Sequence, residues 1–297
     1  MFEDIRKNKI KTGFIVSIFI LLVTLIVYYI CMAFDLGATS IVIALIFSIG
    51  SAFLTYYNCD KIVLASCKAR PATQEEDHKI IGILDALMIS SGVSAKPRLY
   101  VVEDTQPNAF ATGRNPEHAV ICVTTGLLEK LEYYELEGVI AHELAHIKNY
   151  DIRLSAVISV MVGFIVMITD WLSRSFLWRD LDDDHDSKFG GIMAILGLLL
   201  MVLSPIFAKL LQLAVSRRRE FLADATAVEF TRNPDGLISA LQKISADPNE
   251  LKTASSATAH MYISEPFRKD ANKKRKTSWF STHPSTEDRI EALRNIK

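Results

Sequence analysis

Two histidines and a glutamate in the run His142-Glu143-Leu144-Ala145-His146 have the spacing of a hydrolytic metal site. On a helix, residues four apart project from the same face, so the two imidazoles can hold one ion. Glu143 lies next to the first histidine and can accept a proton from a water molecule at that ion. The flanking residues are apolar and include no proline, which favours a helix here. The alternative is a purely structural pair of helical histidines.

A catalytic zinc site needs three protein ligands and an open position, so a further His, Glu or Asp is expected elsewhere. Glu220 and Asp224 are candidates because they lie four residues apart and share a helical face. Glu220 can bind the metal, while Asp224 accepts a hydrogen bond from a ligand histidine. Without the histidine pair, Glu220 would be interpreted as an ordinary acid beside an arginine cluster.

The elements that must position these residues include unusually apolar segments. Half of the 297 residues are hydrophobic, and the mean hydropathy is +0.22. The apolar content is concentrated in four uncharged runs, at residues 12–34, 41–57, 154–168 and 189–208. Their lengths predict four transmembrane helices arranged as two hairpins. For the third and shortest run, the alternative is a buried helix in a soluble core.

The charges that flank these runs predict the orientation in the membrane. The N-terminal tail, residues 61–70 and the cluster at 217–219 are basic, which places both chain ends in the cytoplasm. The loop between the third and fourth runs is rich in aspartate and contains His185. We interpret it as a solvated outward loop rather than a metal cluster, because adjacent aspartates cannot all converge on one ion.

The net charge and the cysteines argue against a nucleic-acid-binding protein and against a protein built on disulfides or cysteine metal sites. A formal net charge of −1 argues against nucleic acid as a partner. The four cysteines have neither metal-binding spacing nor the pattern of a disulfide framework, so they are interpreted as reduced buried thiols.

The fold class predicted from these patterns is an α+β membrane protein. Its four transmembrane helices carry a mainly helical cytoplasmic domain with a small β-sheet. The run HELAHIKNYDIRLS resembles a motif of membrane zinc proteases, which implies that this is a zinc-protease domain. We divide the chain into an N-terminal transmembrane hairpin, a protease part with the HExxH helix, a second transmembrane hairpin and a protease part with the third zinc ligand, at residues 1–59, 60–153, 154–216 and 217–297.

Within the protease parts, local patterns predict individual elements. Thr73 and Glu76 form a capping box that begins a helix. The strand-forming residues lie at 99–102 and 120–123, and further helices are expected at 221–230, at 236–244 and from 285. The polar, lysine-rich residues 247–276 predict a mobile loop.

The segment from Asn108 to Gly113 lies between the two predicted strands and is bounded by Pro107. It has two interpretations that spacing alone does not separate. It is either a plain hairpin arm or a sheet edge on which a peptide adds itself as a strand.

Three motifs in this order, HELAHIKNYDIRLS, SRRREFLADA and FSTHPSTEDRIEAL, resemble the membrane-embedded gluzincin proteases of the HtpX type. Those are relatives of the CAAX-processing zinc endopeptidases, and the resemblance covers nearly the whole chain. It implies one Zn²⁺ per chain with His142, His146 and Glu220 as ligands. It also implies Glu143 as the catalytic base and Asp224 as the hydrogen-bond acceptor behind a ligand.

The same resemblance implies how substrate is held. Asn108, Ala109, Phe110 and Ala111 would form the substrate-binding edge. His283 and Arg289 would contact the substrate or stabilise the developing oxyanion. On sequence alone, His283 is simply a residue near a helix start.

We therefore expect a zinc endopeptidase in a bacterial or archaeal plasma (inner) membrane, with its active site facing the cytoplasm. The resemblance suggests misfolded or damaged membrane proteins as substrates, and the lipid bilayer is the other expected partner. One alternative is a processing protease for lipidated or other specific membrane substrates. A second is a membrane chaperone in which zinc is only a structural staple, although the sequence supplies no obvious fourth Cys or His ligand.

Overall fold

The computed structural model describes residues 2–33, 37, 39–179, 217–255, 257–267 and 284–296. Three features singled out in the sequence lie outside these residues. They are the fourth apolar run, the aspartate-rich loop with His185, and His283.

The described residues are mostly helical, with a small mixed sheet. The helices are α1 Phe2–Ala33, α2 Thr39–Ser66, α3 Gln74–Ser91, α4 Thr125–Lys130, α5 Tyr133–Lys148, α6 Asp151–Arg179, α7 Arg217–Thr231, α8 Pro234–Ala246 and α9 Thr286–Arg294. The strands are β1 Arg70–Pro71, β2 Arg98–Val102, β3 Ala109–Thr112 and β4 Val120–Thr124. Each helix and strand predicted in the protease parts is present, and α3 begins with the predicted capping box at Thr73.

Helices α1 and α2 contain the two candidate membrane spans among the described residues, Asn8–Tyr28 and Thr39–Ser66. Both helices expose large apolar side chains such as Phe14 and Phe47, as expected of surfaces that face lipid. The sequence predicts four spans. The third apolar run lies in α6, which is not among these candidates, and its buried residues, including Leu154 and Val157, pack against α1.

The sheet has the strand order β1-β2-β4-β3. Strands β2 and β4 are parallel, whereas β1 and β3 pair antiparallel to their neighbours. Strand β3 therefore lies at an outer edge of the sheet. Helix α5 packs against β3, α3, α7 and α8, so it runs through the centre of the protease part.

The first turn of α5 is fixed by Glu135. Its carboxylate accepts the backbone N–H of Glu132 at 2.8 Å, the hydroxyl of Ser239 at 2.5 Å and the ammonium of Lys243 at 2.7 Å. The last two residues belong to α8, so the carboxylate joins two helices as well as capping one. These bonds define where α5 begins and how it lies against α8.

Residues 247–276 are predicted to form a mobile loop, but part of this segment is packed into the protein. Among its described residues, Leu251, Tyr262 and Ile263 are buried, with Tyr262 only 1% exposed. The N–H of Ile263 donates to the carbonyl oxygen of Ala109 at 2.9 Å. The apolar stretch of this segment, residues 261–263, is too short to show a helix or strand period, so the sequence pattern does not reveal this packing.

Candidate active site

The side chains of His142, His146 and Glu220 converge between α5 and α7. The two histidine Nε2 atoms lie 3.2 Å apart. Oxygen Oε1 of Glu220 lies 3.5 Å from Nε2 of His146, and Oε2 lies 3.8 Å from Nε2 of His142. One ligand atom from each residue lies within 4.8 Å of the others, so the three can share one metal ion.

The other ring nitrogen of each histidine faces a carboxylate. Nδ1 of His142 lies 2.9 Å from Oδ1 of Asp224, and Nδ1 of His146 lies 3.0 Å from Oδ2 of Asp151. An ionised carboxylate only accepts hydrogen bonds, so each Nδ1 carries the proton and each Nε2 presents its lone pair. Two lone pairs and a carboxylate then meet at one point. Such a donor set fits a bound cation.

The pKa values of the two imidazoles shift in opposite directions. Burial, together with the nearby charge of Arg289, lowers the pKa of His142 despite its contact with Asp224. Burial also acts to lower the pKa of His146. The hydrogen bond to Asp151 and the charge of Glu220 outweigh it and raise the value to about 9.

Glu143 lies beside the cluster and is buried. Burial and the charge of Glu220 raise its pKa to about 7, whereas His146, Arg289 and a hydrogen bond with the backbone of Ala111 act to lower it. A carboxylate with this pKa can both accept and release a proton near neutral pH. Its environment therefore suits acid–base chemistry.

Glu143, His146 and Glu220 line a small cavity of about 30 Å³, which is large enough to hold water. Ala111 of β3 lies on one wall, and His260 and Met261 lie on another. The packed segment at residues 257–264 thus contributes directly to the wall of this cavity.

The four residues predicted to form a substrate-binding edge have different environments. Ala111 lines the cavity, and Phe110 packs away from it against the ring of Tyr262 with centroids 5.0 Å apart. The Asn108 amide donates to the carbonyl oxygen of Ser264 at 3.1 Å. Together with the bond from Ile263 to Ala109, this contact places residues 263–264 alongside β3, where a peptide strand was expected.

Arg289 lies behind His142 rather than on the wall of the cavity. It is 2% exposed, and its Nη1 donates to the carbonyl oxygen of Ile263 at 2.9 Å. Its Nε and Nη2 donate to Asp224, and its Nη1 also lies 3.9 Å from Oε2 of Glu220. The resemblance implies that Arg289 contacts the substrate or stabilises the developing oxyanion, and that role stays a prediction. In the structure the guanidinium is paired with the buried carboxylate of Asp224.

Sequence reasoning overlooked Asp151, the carboxylate that faces His146. The available signal was an acid at the start of the next helix, five residues after that histidine. Its contact depends on the geometry of the turn between α5 and α6, which residue types alone do not give.

The sequence model of a family described as Peptidase family M48 matches residues 74–297. The chain belongs to peptidase family M48. It is therefore a metal-dependent peptidase, and the predicted enzyme class is confirmed.

Relatives of this M48 chain extend over its full length. It is 43% identical over 293 residues to "Protease HtpX homolog" of Dictyoglomus thermophilum, covering 99% of this chain and 94% of the relative. The protein with the same description from Listeria monocytogenes serotype 4a is 38% identical, with both chains fully covered. The predicted resemblance to HtpX-type proteases is confirmed. The crystal structure of S. mikatae Ste24p is also similar, at a TM-score of 0.48 and 17% identity, covering 99% of this chain and 67% of that one.

Proposed function

We propose that this M48 peptidase is a membrane-anchored zinc endopeptidase whose Zn²⁺ is held by His142, His146 and Glu220. The convergence of these three side chains, with a carboxylate behind each imidazole, carries the proposal. Two imidazoles and one carboxylate are a donor set that zinc favours, and three protein ligands leave a position open for chemistry.

Held by His142, His146 and Glu220, zinc would supply a Lewis acid that polarises a carbonyl group and lowers the pKa of water towards neutrality. Glu143 accepts the proton of the attacking water, for which its raised pKa is suited. Glu143 then delivers this proton to the leaving amine. The hydrogen bond with the Ala111 backbone orients the carboxylate, and its burial excludes competing solvent.

Asp224 accepts a hydrogen bond from His142 and fixes which nitrogen of that imidazole faces the metal. Arg289 holds Asp224 in place and so supports the ligand from behind. For His283, which precedes α9, the resemblance supports a role as donor to the developing oxyanion.

We propose that substrate binds as an added strand along β3, using Asn108, Ala109, Phe110 and Ala111. The small cavity and the contact between Ile263 and Ala109 mean that residues 263–264 must move first. The outward-facing carbonyl of Ala109 then becomes available to the substrate backbone. Strand addition would hold the scissile bond next to Glu143.

The proposed substrates are misfolded or damaged membrane proteins, cut at the cytoplasmic side of a bacterial or archaeal plasma (inner) membrane. Two apolar helices, α1 and α2, support attachment to the bilayer. The basic residues that flank the apolar runs support the cytoplasmic location of the site.

The test compares purified full-length wild type with Glu143→Gln and His142→Ala, using zinc analysis and cleavage of an unfolded membrane protein in detergent. We expect Glu143→Gln to retain zinc while losing about 10²–10⁴-fold in rate, the usual contribution of a general base. His142→Ala should lose both zinc and activity. Cleavage by Glu143→Gln at the wild-type rate would exclude the proposed role of that carboxylate.

A prenylated peptide, tested alongside the unfolded membrane protein, separates quality control from the processing of lipidated C-termini. Preference for the prenylated peptide would favour the processing protease. Cleavage that survives zinc removal by a chelator would exclude the proposed dependence on zinc.

A further inference from the structure

We propose that Asn8 of α1 is a positioning residue for the metal site, acting on His146 through Asp151. The inference rests on the zinc site proposed above and extends it to a helix that otherwise serves only as a membrane anchor. In this arrangement, α1 completes the active site.

The contacts of Asn8 define its role. Its side-chain nitrogen donates to Oδ1 of Asp151 at 2.7 Å and to the carbonyl oxygen of Asn149 at 3.2 Å. Both partners only accept hydrogen bonds, so the amide must present its NH₂ group to them. The other oxygen of Asp151, Oδ2, faces Nδ1 of His146 at 3.0 Å. One carboxylate therefore connects α1 to a proposed metal ligand.

This connection is buried and charge-assisted. Asn8 is 4% exposed and Asp151 is 5% exposed. Arg219 adds a longer contact to the same carboxylate oxygen, at 3.4 Å. A hydrogen bond from a neutral amide to a buried carboxylate is stronger than one between neutral groups, and its loss leaves part of a buried charge unsatisfied.

The turn before Asp151 has an unfavourable backbone conformation. It joins α5 to α6 through Tyr150, whose φ of 60° lies in the left-handed region that large side chains rarely adopt. Lys9 of α1 lies over the Tyr150 ring at 4.6 Å, and Asn8 binds the carbonyl of Asn149. Two consecutive residues of α1 thus hold the turn on which the direction of Asp151 depends.

The hydrogen bonds of Asn8 explain why a polar residue can occupy this place in α1. Asn8 begins the apolar segment that can cross a membrane, where an amide without partners is unfavourable. Partners of metal-ligating histidines fix the tautomer and the direction of the ring, and their removal usually weakens metal binding by 10–100-fold. Asn8 acts one bond further away, so its effect should be smaller.

The experiment measures zinc affinity of the full chain in detergent by competition with a chromophoric chelator. We expect Asp151→Ala to raise the Kd for zinc by about 10–100-fold and Asn8→Ala by about 3–10-fold. The matched control is Thr12→Ala, because Thr12 is equally buried in α1 but its hydroxyl donates to the carbonyl of Asn8 within the same helix. The control should leave the Kd unchanged.

A double variant shows whether Asn8 acts through Asp151. In the Asp151→Ala background, Asn8→Ala should cause no further loss of zinc affinity. Asn8→Asp keeps the side-chain shape but sets a second carboxylate against Asp151, so it should weaken zinc binding more than Asn8→Ala and serves if the alanine variant fails to fold. An unchanged Kd in both Asn8 variants, equal effects of Asn8→Ala and Thr12→Ala, or a full additional loss in the double variant would overturn the inference.

The outcomes separate this inference from the proposed function. Zinc binding by wild type no tighter than by His142→Ala would refute the metal site itself. Tight binding by wild type with no effect of Asn8→Ala would refute only the role of Asn8.

Discussion

Arg289 donates two hydrogen bonds to Asp224, from Nε to Oδ2 at 2.8 Å and from Nη2 to Oδ1 at 2.6 Å. The same carboxylate faces Nδ1 of His142 at 2.9 Å. Helix α9, near the end of the chain, is therefore linked through one buried carboxylate to a proposed metal ligand in α5. The pairing with Arg289, despite burial, keeps the pKa of Asp224 below its ordinary value.

Replacing Arg289 by methionine should destabilise the protein because it leaves the Asp224 carboxylate buried without its cation. Breaking a buried ion pair in this way costs about 3–5 kcal/mol. We expect a correspondingly lower midpoint in denaturant unfolding and weaker zinc binding through His142.

The double variant Arg289→Met with Asp224→Leu separates the two effects. It removes both charges, so much of the stability should return. Zinc affinity should remain low because His142 has lost its hydrogen-bond acceptor. Full recovery of zinc binding in the double variant would show that Asp224 does not support the ligand.

The parts of the site that sequence could predict are those within one helix. His142 and His146 are four residues apart, as are Glu220 and Asp224, so helical geometry alone places each pair on one face. That α5 and α7 meet was inferred from the chemical need for a third ligand. Nothing in residue spacing could show that Arg289 lies behind His142.

The contacts that escaped prediction depend on tertiary geometry. Asn8 and Asp151 are separated by 143 positions, and the turn that precedes Asp151 includes Tyr150 in a left-handed conformation. Tyr262 and Ile263 contribute buried side chains to a segment whose composition is polar overall, so an average over the segment conceals them. Local patterns predict elements, whereas such packing is decided by elements distant in the chain.

Gly138 should not tolerate alanine, because the backbone of α8 lies close to α5 at this position. A Cβ at this position would lie 2.8 Å from the backbone nitrogen of Leu237. We expect Gly138→Ala to lower the free energy of unfolding by about 1–3 kcal/mol through overpacking.

The matched control for this prediction is Gly82→Ala in α3, where a Cβ has no neighbour within 4 Å. Alanine is the better helix former by about 1 kcal/mol, so this variant should be neutral or more stable. The measurement is denaturant unfolding of both variants beside wild type. A Gly138→Ala variant as stable as Gly82→Ala would contradict the close contact.

The pKa of Glu143 predicts how the stability of the metal-free protein changes with pH. Burial raises this pKa from 4.5 to about 7, so the folded state holds the proton more tightly than the unfolded state. The resulting stabilisation is fully present below pH 4.5 and is lost as the pH rises through about 7. Its full size is on the order of 3 kcal/mol.

Glu143→Gln supplies the comparison, because glutamine is neutral at every pH. The metal-free variant and wild type should unfold at similar temperatures near pH 5, where the wild-type carboxyl is protonated. Near pH 8 the variant should be the more stable of the two, since wild type then buries a charge. A difference that stays constant between these pH values would show that Glu143 titrates normally.

Binding of a substrate-like inhibitor should release the backbone amide of Ile263. At present this amide donates to the carbonyl oxygen of Ala109 at 2.9 Å, on the edge of β3 where we place the substrate. A peptide hydroxamate that adds as a strand competes for the same oxygen. Amide hydrogen exchange should therefore become faster at Ile263 when the inhibitor is bound.

The amide of Val123, which lies in β4 on the other side of β3, should stay protected. The metal-chelating group alone, without its peptide, should leave exchange at Ile263 unchanged. Slower exchange at Ile263 with the peptide inhibitor would mean that the segment stays in place and that substrate approaches along another path.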